Sequence, residues 1–237
     1  MKKFDLAIFD MDGLMFDTGR IAYNAYLKTA EQFDMEMRPE VYYFLTGRND
    51  EGIRQAMKEL YGEKQDIAAW RKAMVHFKHE IIAADNRVYK KPGLVSLLAY
   101  LKANDKKVGL ASSSKREEIL AYLEMENLDA TLFDVIVGGD EVRNSKPDPE
   151  IFLKVCRKIG IAPEDTLVFE DSLVGVEAAN AAGIQTVLVE DDINDMPSHD
   201  GKIKLKWIPS VIRKDNQQPA FQFDSLSDAE FYMENNE

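Results

Sequence analysis

The chain contains a single cysteine, Cys156, so no disulfide can form within it. Cys156 closes the apolar run Ile151-Phe152-Leu153-Lys154-Val155-Cys156, where a buried, inert thiol is expected. No apolar run approaches the ~18 residues of a membrane span. Lys2 and Lys3 open the chain, but Asp5 and Asp10 interrupt the apolar stretch that a secretory signal needs. These absences predict a cytoplasmic, reducing compartment and no membrane partner. Positive charge is also short. Against 42 Asp and Glu stand 30 Lys and Arg, a formal net charge of -12. Such a surface repels polyanions, so nucleic acid is not an expected partner. A small anionic substrate would need a local cluster of cations. Histidine is scarce as well. His76 and His79 lie one helical turn apart and could pair on a metal, but a surface or packing role fits them better.

What is present is an ordinary globular balance, 45% hydrophobic and 30% charged residues in a chain of 237. That length suits one large domain, or a domain carrying a smaller insertion, with a core that needs no covalent staple. Five short apolar runs read as strands: 4–9, 107–111, 133–137, 166–169 and 185–189. Most are continuously apolar rather than alternating, the pattern of strands covered on both faces. Helical patterns lie between them. Ser114-Lys115-Arg116-Glu117 reads as a capping box that opens a helix ending near Asn127. Asp148-Pro149-Glu150 reads as a second helix start, stopped by Gly160, and a small-residue helix at 173–182 is closed by Gly183. The alternation predicts an α/β fold, a doubly wound parallel sheet. Phe221-Gln222-Phe223 is a candidate late edge strand.

Residues 18–90 break the alternation. They show helical stretches at 21–33, 51–61 and 67–84, punctuated by Pro39, Gly47 and Gly62. An all-helical cap inserted after the first strand accounts for them. The expected division is therefore an α/β core of residues 1–17 and 91–237 and a helical cap of residues 18–90. Such a cap is expected over the C-terminal sheet edge, where open α/β sheets bind ligands. Residues 191–219 are polar and turn-rich, with no evident role.

Four motifs fall at strand ends. The first is Asp10-Met11-Asp12-Gly13-Leu14-Met15-Phe16-Asp17-Thr18. Two aspartates held close in one turn need a cation between them or a protonated carboxyl. Hard oxygen ligands in a partly hydrated site suit Mg²⁺, and Gly13 lets the chain turn sharply. A solvated, Asp-capped turn is the plain alternative. Five fixed identities at this spacing arise by chance on the order of once in 10⁴ such chains, which disfavours it. The second motif, Ser112-Ser113-Ser114, offers a hydroxyl and backbone N–H groups to a phosphate. The third, Ser145-Lys146-Pro147-Asp148-Pro149, places a lysine that could neutralise that phosphate. The fourth, Glu170-Asp171-Ser172, adds two acids. Four carboxylates at one sheet edge are costly without a divalent ion.

This order of motifs resembles the haloacid dehalogenase superfamily, and within it the β-phosphoglucomutase-like phosphatases, whose helical cap follows the first motif. The resemblance covers residues 4 to about 190. It implies that Asp10 attacks phosphorus, and that Asp12 protonates the leaving alcohol and then activates water. It implies Mg²⁺ held by Asp10, Asp171 and the backbone carbonyl of Asp12, with Glu170 close by or acting through water, and a phosphoryl group held by Ser112 and Lys146. Dehalogenases of the family lack the acid at the position of Asp12. In the cap, Gly47-Arg48-Asn49-Asp50 makes Arg48 a candidate substrate contact. Two positions depart from the family pattern: Arg20, where an acid is common, and Ala22, where mutases and many phosphatases carry histidine. The expected activity is hydrolysis of a small phosphorylated metabolite, a sugar phosphate or nucleoside monophosphate. A phosphomutase is the near alternative, which Ala22 disfavours. A non-catalytic ligand-binding protein on the same fold is the distant one, which the full set of acids disfavours.

Overall fold

Leu6–Phe9 is completely buried along its length, and as strand β1 it lies inside a six-stranded sheet rather than at an edge. The structure, a computed structural model, describes residues 1–48, 50–210 and 213–236. Those residues form two units, Met1–Asp17 with Val88–Asp191 and Arg213–Glu237, and Thr18–Arg87 with Asp192–Ile212.

The first unit is the α/β core. Its strands are β1, β2 (Lys107–Ala111), β3 (Val135–Val137), β4 (Thr166–Glu170), β5 (Gln185–Leu188) and β6 (Phe221–Gln222), in the spatial order β3-β2-β1-β4-β5-β6. Every neighbouring pair runs parallel. The α/β class and the doubly wound sheet are thus as the sequence pattern predicts, and the candidate edge strand is β6. The register pairs Phe9 with Leu110 and with Phe169, and the Phe9 and Phe169 rings stack at 4.7 Å. The C-terminal ends of β1, β2 and β4 are therefore level, so the residues that follow them emerge side by side. Leu6 and Ile8 point into a cluster with Phe152 and Val155 of helix α7 (Glu150–Ile159) and Ala178 and Ala179 of α8 (Leu173–Ala181). Cys156 is buried in that cluster, 3.6 Å from the Thr166 hydroxyl. The core also holds α5 (Leu94–Ala103), α6 (Arg116–Met125) and α9 (Leu226–Asn236), and α5 packs on β2 and α9.

The second unit carries α1 (Thr18–Phe33), α2 (Pro39–Leu45), α3 (Asp50–Tyr61) and α4 (Ile67–Asp85) around Trp70, Tyr26, Tyr42, Met57 and Leu60. Pro39 starts α2 at its first turn, where a missing N–H costs nothing. One placement differs from the expected division. Residues 192–212, assigned to the core by the sequence reading, pack with the helices. The cause is a set of pairings far apart in the chain. Met37 and His199 exchange backbone hydrogen bonds of 2.9 and 2.8 Å, and Glu36 N donates to Ile203 O at 2.8 Å. Arg20 meets Asp195 through both terminal nitrogens, at 2.6 and 3.0 Å. Among the described residues no helix is long and apolar enough to cross a membrane.

Candidate active site

Asp10 follows β1, and its N–H donates to Phe169 O of β4 at 3.0 Å, so the sheet's own ladder fixes its position. Its side chain is buried, and Lys146 Nζ donates to Asp10 Oδ1 at 2.5 Å and to Glu170 Oε1 at 2.5 Å. Lys146 comes from the long connection between β3 and α7, and its ammonium also lies 4.9 Å from the centre of the Phe152 ring. Carboxylate oxygens of Asp10, Glu170 and Asp171 all lie within 4.8 Å of one another. Three acids and one lysine, drawn from three of the four sequence motifs, are thus gathered at the C-terminal edge of the central strands.

Burial decides the electrostatics. It pushes the Asp10 carboxyl up to about 7, with Glu170 and Asp12 adding to it and Lys146 opposing. It holds the Asp171 carboxyl well above the usual carboxylate range, and Glu170, Asp10 and Asp191 add to that. Lys146 is held above the ordinary lysine value, because Asp10 and Glu170 outweigh its burial. One ammonium does not balance this set of acids. Hard oxygen donors, close spacing and uncompensated negative charge together fit a divalent cation such as Mg²⁺.

The four acids are not equivalent. Glu170 has both oxygens engaged: Oε1 by Lys146, and Oε2 by Asp171 N (3.0 Å), Ser172 N (3.0 Å) and the Ser172 hydroxyl (2.9 Å). It works as a bracket between Lys146 and the start of α8. The fit is close, for a Cβ on Gly175 would stand 1.8 Å from Glu170 Oε1. Gly175 is a site-shaping residue that the sequence reading missed, and Ser172, which stood in the fourth motif, was given no role there. A glycine two residues into a helix pattern is the signal that could have exposed Gly175. Gly13 has φ +83°, and a Cβ there would stand 2.2 Å from Asp171 Oδ2. The turn after β1 therefore needs glycine for its conformation and for the approach of Asp171.

Asp12 stands apart from the acid cluster. Its Oδ2 accepts from the Ser114 hydroxyl at 2.8 Å and the Ser112 hydroxyl at 3.3 Å. This corrects the reading of Ser114 as a helix cap. Helix α6 starts one residue later, with Lys115 at its N-cap and no side-chain cap hydrogen bond. The forgone cap is worth ~1 kcal/mol, so the serine's partner is a tertiary one. Ser112 is buried, its N–H donates to Val137 O, and its hydroxyl accepts from Ser114 N at 3.1 Å.

Arg48 belongs to the helical unit. It is exposed, its Nε donates to Phe44 O at 2.8 Å, and its guanidinium lies 4.5 Å from the centre of the Phe44 ring. Its motif neighbour Asn49 lies outside the described residues. His76 sits on α4 with Nε2 3.3 Å from Glu80 Oε1. Ala22 packs half-buried against the helical core.

The sequence pattern of the haloacid dehalogenase-like hydrolases matches residues 7–189. The chain belongs to that family. Among its relatives is a phosphorylated carbohydrates phosphatase of Thermotoga maritima, 35% identical over 81% of this chain and 88% of that protein. Another is a β-phosphoglucomutase of Bacillus subtilis, 31% identical over 76% of this chain and 80% of that one. In fold, this hydrolase resembles the crystal structure of a β-phosphoglucomutase from Clostridium difficile, with a TM-score of 0.72 and 23% identity over 98% of this chain and 96% of that one. With relatives of this likeness named phosphatases, the chain is a phosphatase-type hydrolase of the haloacid dehalogenase-like family.

Proposed function

We propose that this hydrolase is a Mg²⁺-dependent phosphatase of a small phosphorylated metabolite, a sugar phosphate in the first place, acting through an aspartyl phosphate. The observation that carries the reading is the buried Asp10 carboxylate, paired with Lys146 and facing Asp171, at the end of the central strand. The relative named a phosphorylated carbohydrates phosphatase favours the sugar ester over a nucleotide.

In the first step an Asp10 carboxylate oxygen bonds to phosphorus while the ester P–O bond breaks, and Asp12 gives a proton to the departing alcohol oxygen. In the second step water bonds to the same phosphorus and loses a proton to Asp12, and the bond from phosphorus to Asp10 breaks. One water is consumed, and one alcohol and one phosphate leave. Ser112 and Lys146 hold the phosphoryl oxygens through both steps. Asp10, Asp171 and the Asp12 backbone carbonyl would hold Mg²⁺, with Glu170 bracing Lys146 beside them, and the ion would supply further neutralisation of the phosphoryl charge. Positioning and charge balance do most of the work in such transfers. Arg48, exposed and steadied on Phe44, is the proposed selector of the substrate's non-phosphate part.

The test is phosphate release from a panel of sugar phosphates and nucleoside monophosphates, with Mg²⁺ and with a chelator. Mg²⁺-dependent release led by sugar phosphates is expected. No release, with a sugar bisphosphate formed from a hexose phosphate, would make the chain a mutase. Tight ligand binding with no turnover would make it a binding protein.

A further inference from the structure

We propose that Ser114 is the positioning residue of Asp12, aiming its carboxyl at the leaving-group oxygen; this rests on the phosphatase reading above. Two hydroxyls hold Asp12 Oδ2, Ser114 at 2.8 Å and Ser112 at 3.3 Å. They are not equivalent. Ser112 is assigned to the phosphoryl group, so substrate competes for its hydroxyl and weakens its longer contact with Asp12. Ser114 is then the tether that remains. Its backbone is itself fixed, since Ser114 N donates to the Ser112 hydroxyl at 3.1 Å and Ser114 O accepts from Gly139 N at 2.8 Å. The side chain does not cap α6, whose N-cap is the next residue. A hydroxyl withheld from the helix start and donated to a carboxylate of the reaction sets that carboxylate's rotamer. With Oδ2 held by Ser114, Oδ1 is the oxygen left to pass the proton on. That proton moves from Asp12 Oδ1 to the ester oxygen as the ester P–O bond breaks, so charge and atoms balance.

The consequence is selective. An ester with a poor leaving group needs the proton, whereas a nitrophenolate leaves without it. The experiment compares kcat/KM for p-nitrophenyl phosphate and for the best sugar phosphate in wild type, Ser114→Ala and Ser114→Thr. This parameter reports the steps through phosphoryl transfer to Asp10, so the later attack of water does not enter. Ser114→Ala is expected to lose about 10-fold or more on the sugar phosphate and less than about 3-fold on the aryl ester. Ser114→Thr, which keeps the hydroxyl, restores the sugar phosphate rate, and the thermal midpoints of all three proteins agree. Equal losses on both esters, no loss on either, or no rescue by threonine would overturn the assignment of Ser114. If the wild type hydrolyses neither ester with Mg²⁺ present, the phosphatase reading falls, and this inference with it.

Discussion

At the scale of single residues, the site is a small number of charges placed where water is scarce. Asp10 and Glu170 are buried with a single ammonium between them, so neither partner is dispensable. Asp10→Asn keeps the shape and removes the proposed nucleophile; turnover should fall by about 10³-fold or more while the unfolding midpoint stays close to wild type. Wild-type-like phosphate release from that variant would remove Asp10 from the mechanism. Gly13 gives a second prediction. Alanine there meets a left-handed conformation costing ~1–2 kcal/mol, besides the collision with Asp171 Oδ2. Gly13→Ala should lower both the unfolding midpoint and Mg²⁺ affinity by calorimetry, and unchanged affinity would separate the turn from the proposed metal site. The acids were legible in the sequence because each sits at or just past the end of a continuously apolar run, and strand ends at one sheet edge must meet; Lys146, in the connection after β3, was legible through its motif Ser145-Lys146-Pro147-Asp148-Pro149. Ser114 was not. Its pattern Ser-x-x-Glu is also that of a capping box, and only the fold shows that its hydroxyl has a partner about a hundred residues away.

At the scale of elements, ion pairs tie the connections together. Glu141, just after β3, meets Lys158 of α7 at 2.9 Å and Arg116 of α6 at 3.2 Å. Burial raises its pKa, but the Lys158 bond, the Gly138 N–H and Arg116 outweigh it and hold it at about 2. A folded pKa below the unfolded value means stability that is complete above about 4.5 and fades as pH falls toward 2. Glu141→Gln should therefore cost ~1 kcal/mol near neutrality, and its gap from wild type in thermal midpoint should narrow between pH 6 and pH 3. A gap that is constant with pH would mean the pairs contribute nothing. Lys91 does similar work where the chain changes unit. It pairs with Asp191 and lies 3.4 Å from Asp17 Oδ1, and these two aspartates are the last core residues before the chain enters the helical unit. Lys91→Met removes the ammonium paired with the buried Asp191 carboxylate, and an unfolding free energy lowered by on the order of 2 kcal/mol in urea titration is expected. The strands and most helices could be read from period and punctuation, since local pattern decides them. Helix α2 was missed because seven residues carry too little periodicity.

At the scale of the whole molecule, the chain passes between its two units four times, and the sequence reading found only the first two crossings. Residues 192–212 hold no strand or helix of their own among the described residues. They join the helical unit through Arg20 with Asp195 and through backbone pairing with residues 34–37, contacts that no local pattern announces. Arg20, a departure from the family pattern in the first helix, thus has a structural partner. The net charge of -12 sets the other molecular constraint. On the proposed mechanism an anionic substrate is favoured where Lys146 and the proposed Mg²⁺ reverse the local field, so activity should depend on Mg²⁺ more than on ionic strength. The most direct test of the account is to quench the enzyme during turnover of a sugar phosphate with Mg²⁺, reduce it with borohydride and sequence its peptides by mass spectrometry. An aspartyl phosphate at position 10 would be reduced to homoserine there, and only in samples given substrate. Turnover with Asp10 recovered unmodified, or with the label on another residue, would contradict the account.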